Sequence, residues 1–243
     1  MTDTKLRELE RRWKESNAAE DEAAYLLERV RVGDLEKEKL ELAAYCGHEG
    51  ARLALGDEAL PTALTCEEDP SSDSIRSWAA GLRRWDGECS ARAALAVAVA
   101  SQALLEGSEP LGHPSCLEQA EACLILGSPS AARLAPLVEE VEQALRQQSV
   151  GFANARPWIA GIVKVVAARS VSASLGHDPG GIGPGETRVS RATPNEILRH
   201  AISYAVRGLG VRDPYRAMRG ELVSWVLGYG DPVRDRVERA QLP

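Results

Sequence analysis

Phenylalanine is almost missing from this chain: 243 residues contain one, Phe152, and aromatic residues of all kinds make up 5%. A core without phenylalanine must be filled by Ala, Leu and Val. Small side chains let helices approach closely, and alanine has the highest helix propensity. Long apolar runs are missing too. The longest, "AALAVAVA" at 93–100, is far short of the roughly 20 residues a membrane span needs. The first residues, "MTDTKLRELERRWKE", carry no apolar core of a secretory signal, so the expectation is a cytoplasmic protein with no membrane partner. The cysteines, Cys46, Cys66, Cys89, Cys116 and Cys123, are odd in number and lie at no metal-finger spacing. Buried reduced thiols account for them better than a disulfide framework does. An excess of positive charge is also absent. The formal charge of −7 argues against a nucleic-acid partner.

What is present is helical periodicity. Leu6, Leu9 and Trp13 share a stripe in a first helix; Asn17 with Glu20 is the expected capping pair of a second helix, which Gly33 ends. Asp34 is the expected cap of a third, and "GHEGARLALG" reads as a turn and a short return helix. After the loop "DEALPTALTCEEDPSSDS", Ser72 or Asp73 opens a helix through Trp78 to Trp85, and Asp86 caps an apolar helix that others should surround. Leu134, Leu137, Val138, Val141 and Leu145 form one buried stripe, and "ARPWIAGIVKVVAARSVSAS" is a second candidate for a central helix. Thr193, Pro194 and Glu196 supply a cap, a first-turn proline and a capping-box acid; Asp213–Pro214 and Asp231–Pro232 repeat the start signal. The expectation is an all-α fold, an irregular multi-helix bundle of helical hairpins, HEAT-like at most in part because no strict repeat emerges. It forms a single domain over 1–243, with candidate subdomains at 1–58 and 72–243 joined by 59–71.

Tests for chemistry exclude more than they nominate. "GGIGPGET", 180–187, has Gly180, Gly185 and Thr187 at phosphate-loop spacing, but Glu186 stands where the lysine must be and Pro184 removes an amide donor. The 176–190 stretch therefore reads as a connector between helices. "CGH" at 46–48 and "HPSC" at 113–116 offer zinc-ligand types without a second matching pair, and Cys46 and His48 fall on different sides of a helix. Glu139 and Glu140 are adjacent rather than facing, as solvated helix carboxylates are, and His200 lies among apolar neighbours. The sequence nominates no catalytic residue, no cofactor and no metal site.

Charge and aromatics point instead to a partner. From Arg188 onward there are ten arginines against six acids, whereas residues 1–72 carry ten basic and eighteen acidic groups. Five tryptophans, at 13, 78, 85, 158 and 225, are expected to anchor contacts between helices, and any that is exposed becomes a candidate hot spot. Trp85 with Arg83 and Arg84 at a helix end, and Arg212, Arg216 and Arg219 further on, are the candidate partner-contact residues. The segment "AAYLLERVRVGDLEKEKLELAAYCGHEGARLALG", 23–56, resembles part of a group of uncharacterised Ala-rich helical proteins of large-genome myxobacteria. The following "WDGECSARAALAVAVA" to "AEACLILGSPSAARLA" is weakly similar to Ala-rich helical proteins labelled immunity proteins. These resemblances imply a bacterial cytoplasmic protein with a partner-directed role. The expected function is a non-catalytic helical interaction module, an adaptor, regulator or immunity-type factor. The alternatives are a helical enzyme or small-ligand receptor with a site between the central helices, marked by Cys46, His48, His113 or Glu139, and nucleic-acid binding by an arginine ridge at 212, 216 and 219.

Overall fold

The computed structural model describes residues 2–59, 71–104, 115–127, 134, 136, 138–141, 143, 155–176, 192–211 and 213–241. Every regular element among them is helical, so the architecture is all-α and multi-helix. In chain order the helices are α1 (Thr2–Ser16), α2 (Ala19–Val32), α3 (Lys37–Tyr45), α4 (Glu49–Leu55), α5 (Ser72–Gly81), α6 (Gly87–Ala103), α7 (Ser115–Leu126), α8 (Ala155–Ser174), α9 (Pro194–Tyr204), α10 (Pro214–Leu227) and α11 (Pro232–Gln241). The chain divides into two compact units. The first is Met1–Cys66 with Leu222–Asp231; the second is Glu67–Glu221 with Pro232–Pro243.

The expected start signals act mostly as read. The Asp86 carboxylate accepts from the Cys89 amide at 2.9 Å and opens α6. At α9 the capping box is complete, with Thr193 and Glu196 each accepting from the other's backbone amide, and Asp213 accepts from the Arg216 amide at 2.7 Å. Two caps differ. Asn17 does not cap α2: it adopts φ +52 and closes α1, while the Ser16 hydroxyl accepts from the Ala18 amide and donates to Asp21. Asparagine tolerates the left-handed region better than most residues, so it served a helix end here rather than a start. Asp34 does not cap α3, whose first flanking residue is Glu36; its carboxylate is held by Arg29 at 2.6 Å instead. The helix expected from Ser72 or Asp73 to Trp85 does begin at Ser72, capped by the Ser71 hydroxyl, but its α-helical part ends at Gly81 and passes into the 3-10 turn Leu82–Arg84. The 180–187 loop, Cys66, His113, Leu137 and Leu145, most of the 59–71 connector and the side chain of Trp158 lie outside the described residues.

In the first unit, α1 lays Leu6, Leu9 and Trp13 half-buried toward α2, and α2 and α3 both pack on α4. Leu26, Leu40, Ala43, Ala44, Cys46 and Ala51 are fully enclosed there, joined by Leu222, Val226 and Leu227 of the later segment. Three alanines at this contact leave room for close helix approach. In the second unit, α6 is buried without interruption from Cys89 to Ala98, and α8 from Ala160 to Ser172. These two helices pack on each other, α9 packs on both, α5 on α9, α7 on α8 and α11 on α7. Such all-round burial explains why neither central helix shows a clean apolar stripe. Beyond α9 the helix widens into a π-turn at Ala205–Leu209, ended by Gly210 at φ +71. A Cβ on Gly208 would stand 2.7 Å from Ile159 of α8, so only glycine allows this approach.

Candidate functional site

Two places in the described structure gather polar chemistry, one in each unit. In the first unit, Trp13 of α1 stacks on Tyr25 of α2, with ring centroids 5.3 Å apart and planes at 16°. It also stacks on Tyr229, at 5.2 Å and 26°. Tyr229 follows Gly228, whose φ of +69 turns the chain out of α10; the Gly228 and Tyr229 amides close that turn onto Trp225 and Ser224. The Tyr229 phenol donates to Glu22 Oε1 at 2.6 Å, and His48 Nε2 lies 3.6 Å from the same oxygen. His48 Nδ1 accepts from the Ala51 amide at 3.2 Å, capping α4. The proton of the neutral ring is thereby assigned to Nε2, which faces the carboxylate. The carboxylate of Glu22 in turn fills the space over Gly50, where a Cβ would meet its Oε2 at 2.5 Å.

Burial, reinforced by the bond to Glu22, pushes the Tyr229 phenol well above its ordinary pKa. Burial also raises Tyr25. The Arg29 guanidinium lies 5.6 Å from the Tyr25 ring centroid while donating to the Leu227 carbonyl at 2.6 Å. Tyr229 and Glu22 thus satisfy each other, with His48 beside the same carboxylate, and the three rings keep part of their surface outward. Trp13 and Tyr25 are half-buried, and Tyr229 is 40% exposed.

Glu28, on the same helix, shows how the unit keeps acids in its interior. The Arg31 hydrogen bond, with Lys5 across on α1, holds its carboxyl at about 2 against an ordinary 4.5. A carboxylate depressed by folding stabilises above its unfolded pKa and loses that contribution as pH falls through the folded value. Acid titration of the intact chain is therefore expected to loosen the α1–α2 contact between about pH 4 and pH 2. Glu28→Gln should remove that step; a transition of unchanged midpoint and slope in the variant would refute it.

In the second unit, a groove of about 360 Å³ opens beside α6, α7 and α11, lined by Val99, Gln102, Leu117, Glu118, Glu121 and Arg236. Behind it runs a buried ion network. Arg236 holds Glu121 at 2.5 Å and Glu221 at 3.1 Å; Arg92 holds Glu221 at 3.3 Å and Glu88 at 2.9 Å. Burial raises the Glu121 carboxyl, opposed by Arg236. Nearby, burial lowers the Lys164 amine and pushes the Cys116 thiol up to about 11. Cys46, Cys89, Cys116 and Cys123 are all buried thiols, without a disulfide between them. Among the described residues no three His, Cys, Asp or Glu side chains are placed to hold a metal ion, and no helix is long and apolar enough to cross a membrane.

The partner-contact residues read from sequence are not in either cluster. Arg83 and Arg84 are exposed on the 3-10 turn Leu82–Arg84, with Trp85 half-buried after it. Arg216 and Arg219 are exposed on α10, and Arg212 lies outside the described residues. Sequence reasoning treated Trp13 as an interhelical anchor, which it is, but it missed Tyr25, Tyr229 and Glu22 as its companions and His48 as theirs. The pairing of Trp13 with Tyr25 had a legible signal, aromatics on consecutive amphipathic helices. Tyr229, 207 positions from Glu22, had none. Set against family models, curated proteins and solved structures, the chain finds no match.

Proposed function

We propose that this chain is an all-α protein-interaction module, an adaptor, regulator or immunity-type factor of the cytoplasm, that docks a protein partner on the aromatic face of its first unit. One observation carries the reading: Trp13 stacks on both Tyr25 and Tyr229 in a partly exposed ring cluster, and Glu22 holds the Tyr229 hydroxyl from inside the unit. Tryptophan, tyrosine and arginine are the residues enriched at energetic centres of interfaces, and the two aromatics offer large area at small cost in side-chain entropy. Here the stack and the Tyr229–Glu22 bond have fixed the rotamers before any partner arrives, which lowers the entropy cost of binding.

The experiment is affinity purification of the tagged chain from its native host, wild type beside Trp13→Ala and Trp13→Phe. A stoichiometric protein retained by wild type, lost with Ala and partly restored with Phe is the expected result. Truncating a central aromatic is expected to weaken binding by about 2 kcal/mol or more. Retention of the same protein by a folded Trp13→Ala variant would refute the site. A second reading, a small-ligand receptor, is favoured only by the groove beside Glu118 and Glu121. It predicts thermal stabilisation by a metabolite that is lost in Glu118→Gln.

A further inference from the structure

The docking reading leaves the chemistry of the partner open, and the inference drawn from the first unit's charge and rings rests on that reading. Three observations bear on it. First, residues 1–66 and 222–231 together carry ten basic and sixteen acidic side chains, whereas the chain as a whole is at −7, so nearly all of the negative excess is in this unit. Second, one ring of the cluster already accepts a guanidinium: Arg29 lies within cation–π distance of Tyr25, and the carboxylates of Glu10 and Asp34 lie in electrostatic reach of the same ring. Third, the exposed tyrosine is electron-enriched. Its hydroxyl donates to a buried carboxylate at 2.6 Å, and a charge-assisted donor of this kind shifts electron density into the ring and deepens the negative potential over its faces. A ring so prepared favours a cation over a plain hydrocarbon.

We propose that the exposed surface of Tyr229 and Trp13 receives an arginine or lysine side chain from a basic protein segment, guided by the negative field of the first unit. The partner is accordingly a chain with a positively charged patch, not an acidic or wholly apolar one. Long-range attraction sets the rate of encounter, and the ring contact sets its specificity.

The test pans an unbiased library of displayed peptides, about 12 residues each, against the intact wild-type chain and against Trp13→Ala, each shown to be folded by circular dichroism. Peptides enriched on wild type but not on Trp13→Ala should carry net positive charge with an arginine or lysine at a constant position. Their affinity should fall at least tenfold between about 0.05 M and about 0.5 M salt. Glu10→Lys, on the 37%-exposed carboxylate of α1, should weaken them about threefold or more without touching the stack. Tyr229→Phe, which keeps the ring and loses the bond to Glu22, should weaken them too. Enrichment of acidic or uncharged peptides that still depends on Trp13 would overturn the basic-partner inference and leave the docking site standing. No Trp13-dependent enrichment would overturn both.

Discussion

Glu221→Ala is expected to cost the protein about 3–5 kcal/mol, the range found when one member of a buried ion network is removed. The Glu221 side chain is 2% exposed, and it is shared between Arg92, itself 3% exposed, and Arg236. Deleting it takes away the carboxylate that both arginines hold, so buried positive charge loses part of its counter-charge. The cost is mainly that imbalance rather than the loss of attraction in the pair. It follows that Arg92→Ala in the same chain should cost less than the sum of the two single changes, with a coupling of about 1–3 kcal/mol in a double-mutant cycle. Urea denaturation measures all four corners. A Glu221→Ala cost below about 1 kcal/mol is what a water-screened surface pair would show, and it would refute the buried network as a source of stability.

Trp78→Ala is expected to cost about 3–5 kcal/mol by cavity formation. Trp78 is 1% exposed and is the largest fully buried side chain of the described core. Its ring meets Tyr215 edge to face, with centroids 4.9 Å apart and planes at 86°, and this geometry adds to the area it buries. Ile75, Ala79 and Leu82 on the same stretch are enclosed with it, so the neighbourhood is already filled and has little freedom to collapse into the hole. Trp78→Phe, which keeps a ring, should cost distinctly less. Calorimetry should show the Ala variant melting roughly 10 °C lower, given a shift of about 2–4 °C per kcal/mol for units of this size.

The two changes affect stability, whereas the aromatic face of the first unit affects recognition, and each has a different relation to the sequence. Trp78 was legible as a core residue because it falls at helical spacing with Ile75 and Leu82. Glu221 was not. A carboxylate on a helix is ordinarily solvated, and nothing near Glu221 in the chain announces Arg92, 129 positions away. The same holds for Glu22 and Glu121, both buried against residues remote in sequence. Buried acids are where reading by local pattern was least informative, because their environment is built entirely by distant partners.

By itself the sequence determined the helical class, most helix starts and the alanine-filled character of the core. The physical reason is that caps and periodicity act over three or four residues: Thr193 reaches Glu196, Asp86 reaches Cys89, and Gly33 closes the last turn of its own helix. Even there the competition between roles misled at Asn17 and Asp34, where a residue suited to two local tasks took the other one. Tertiary structure alone decided that Leu222–Asp231 belongs with the first sixty-six residues, and therefore that Tyr229 stacks on Trp13 and donates to Glu22. That choice depends on which apolar surfaces bury one another across some 200 positions, and no signal within a helical turn encodes it.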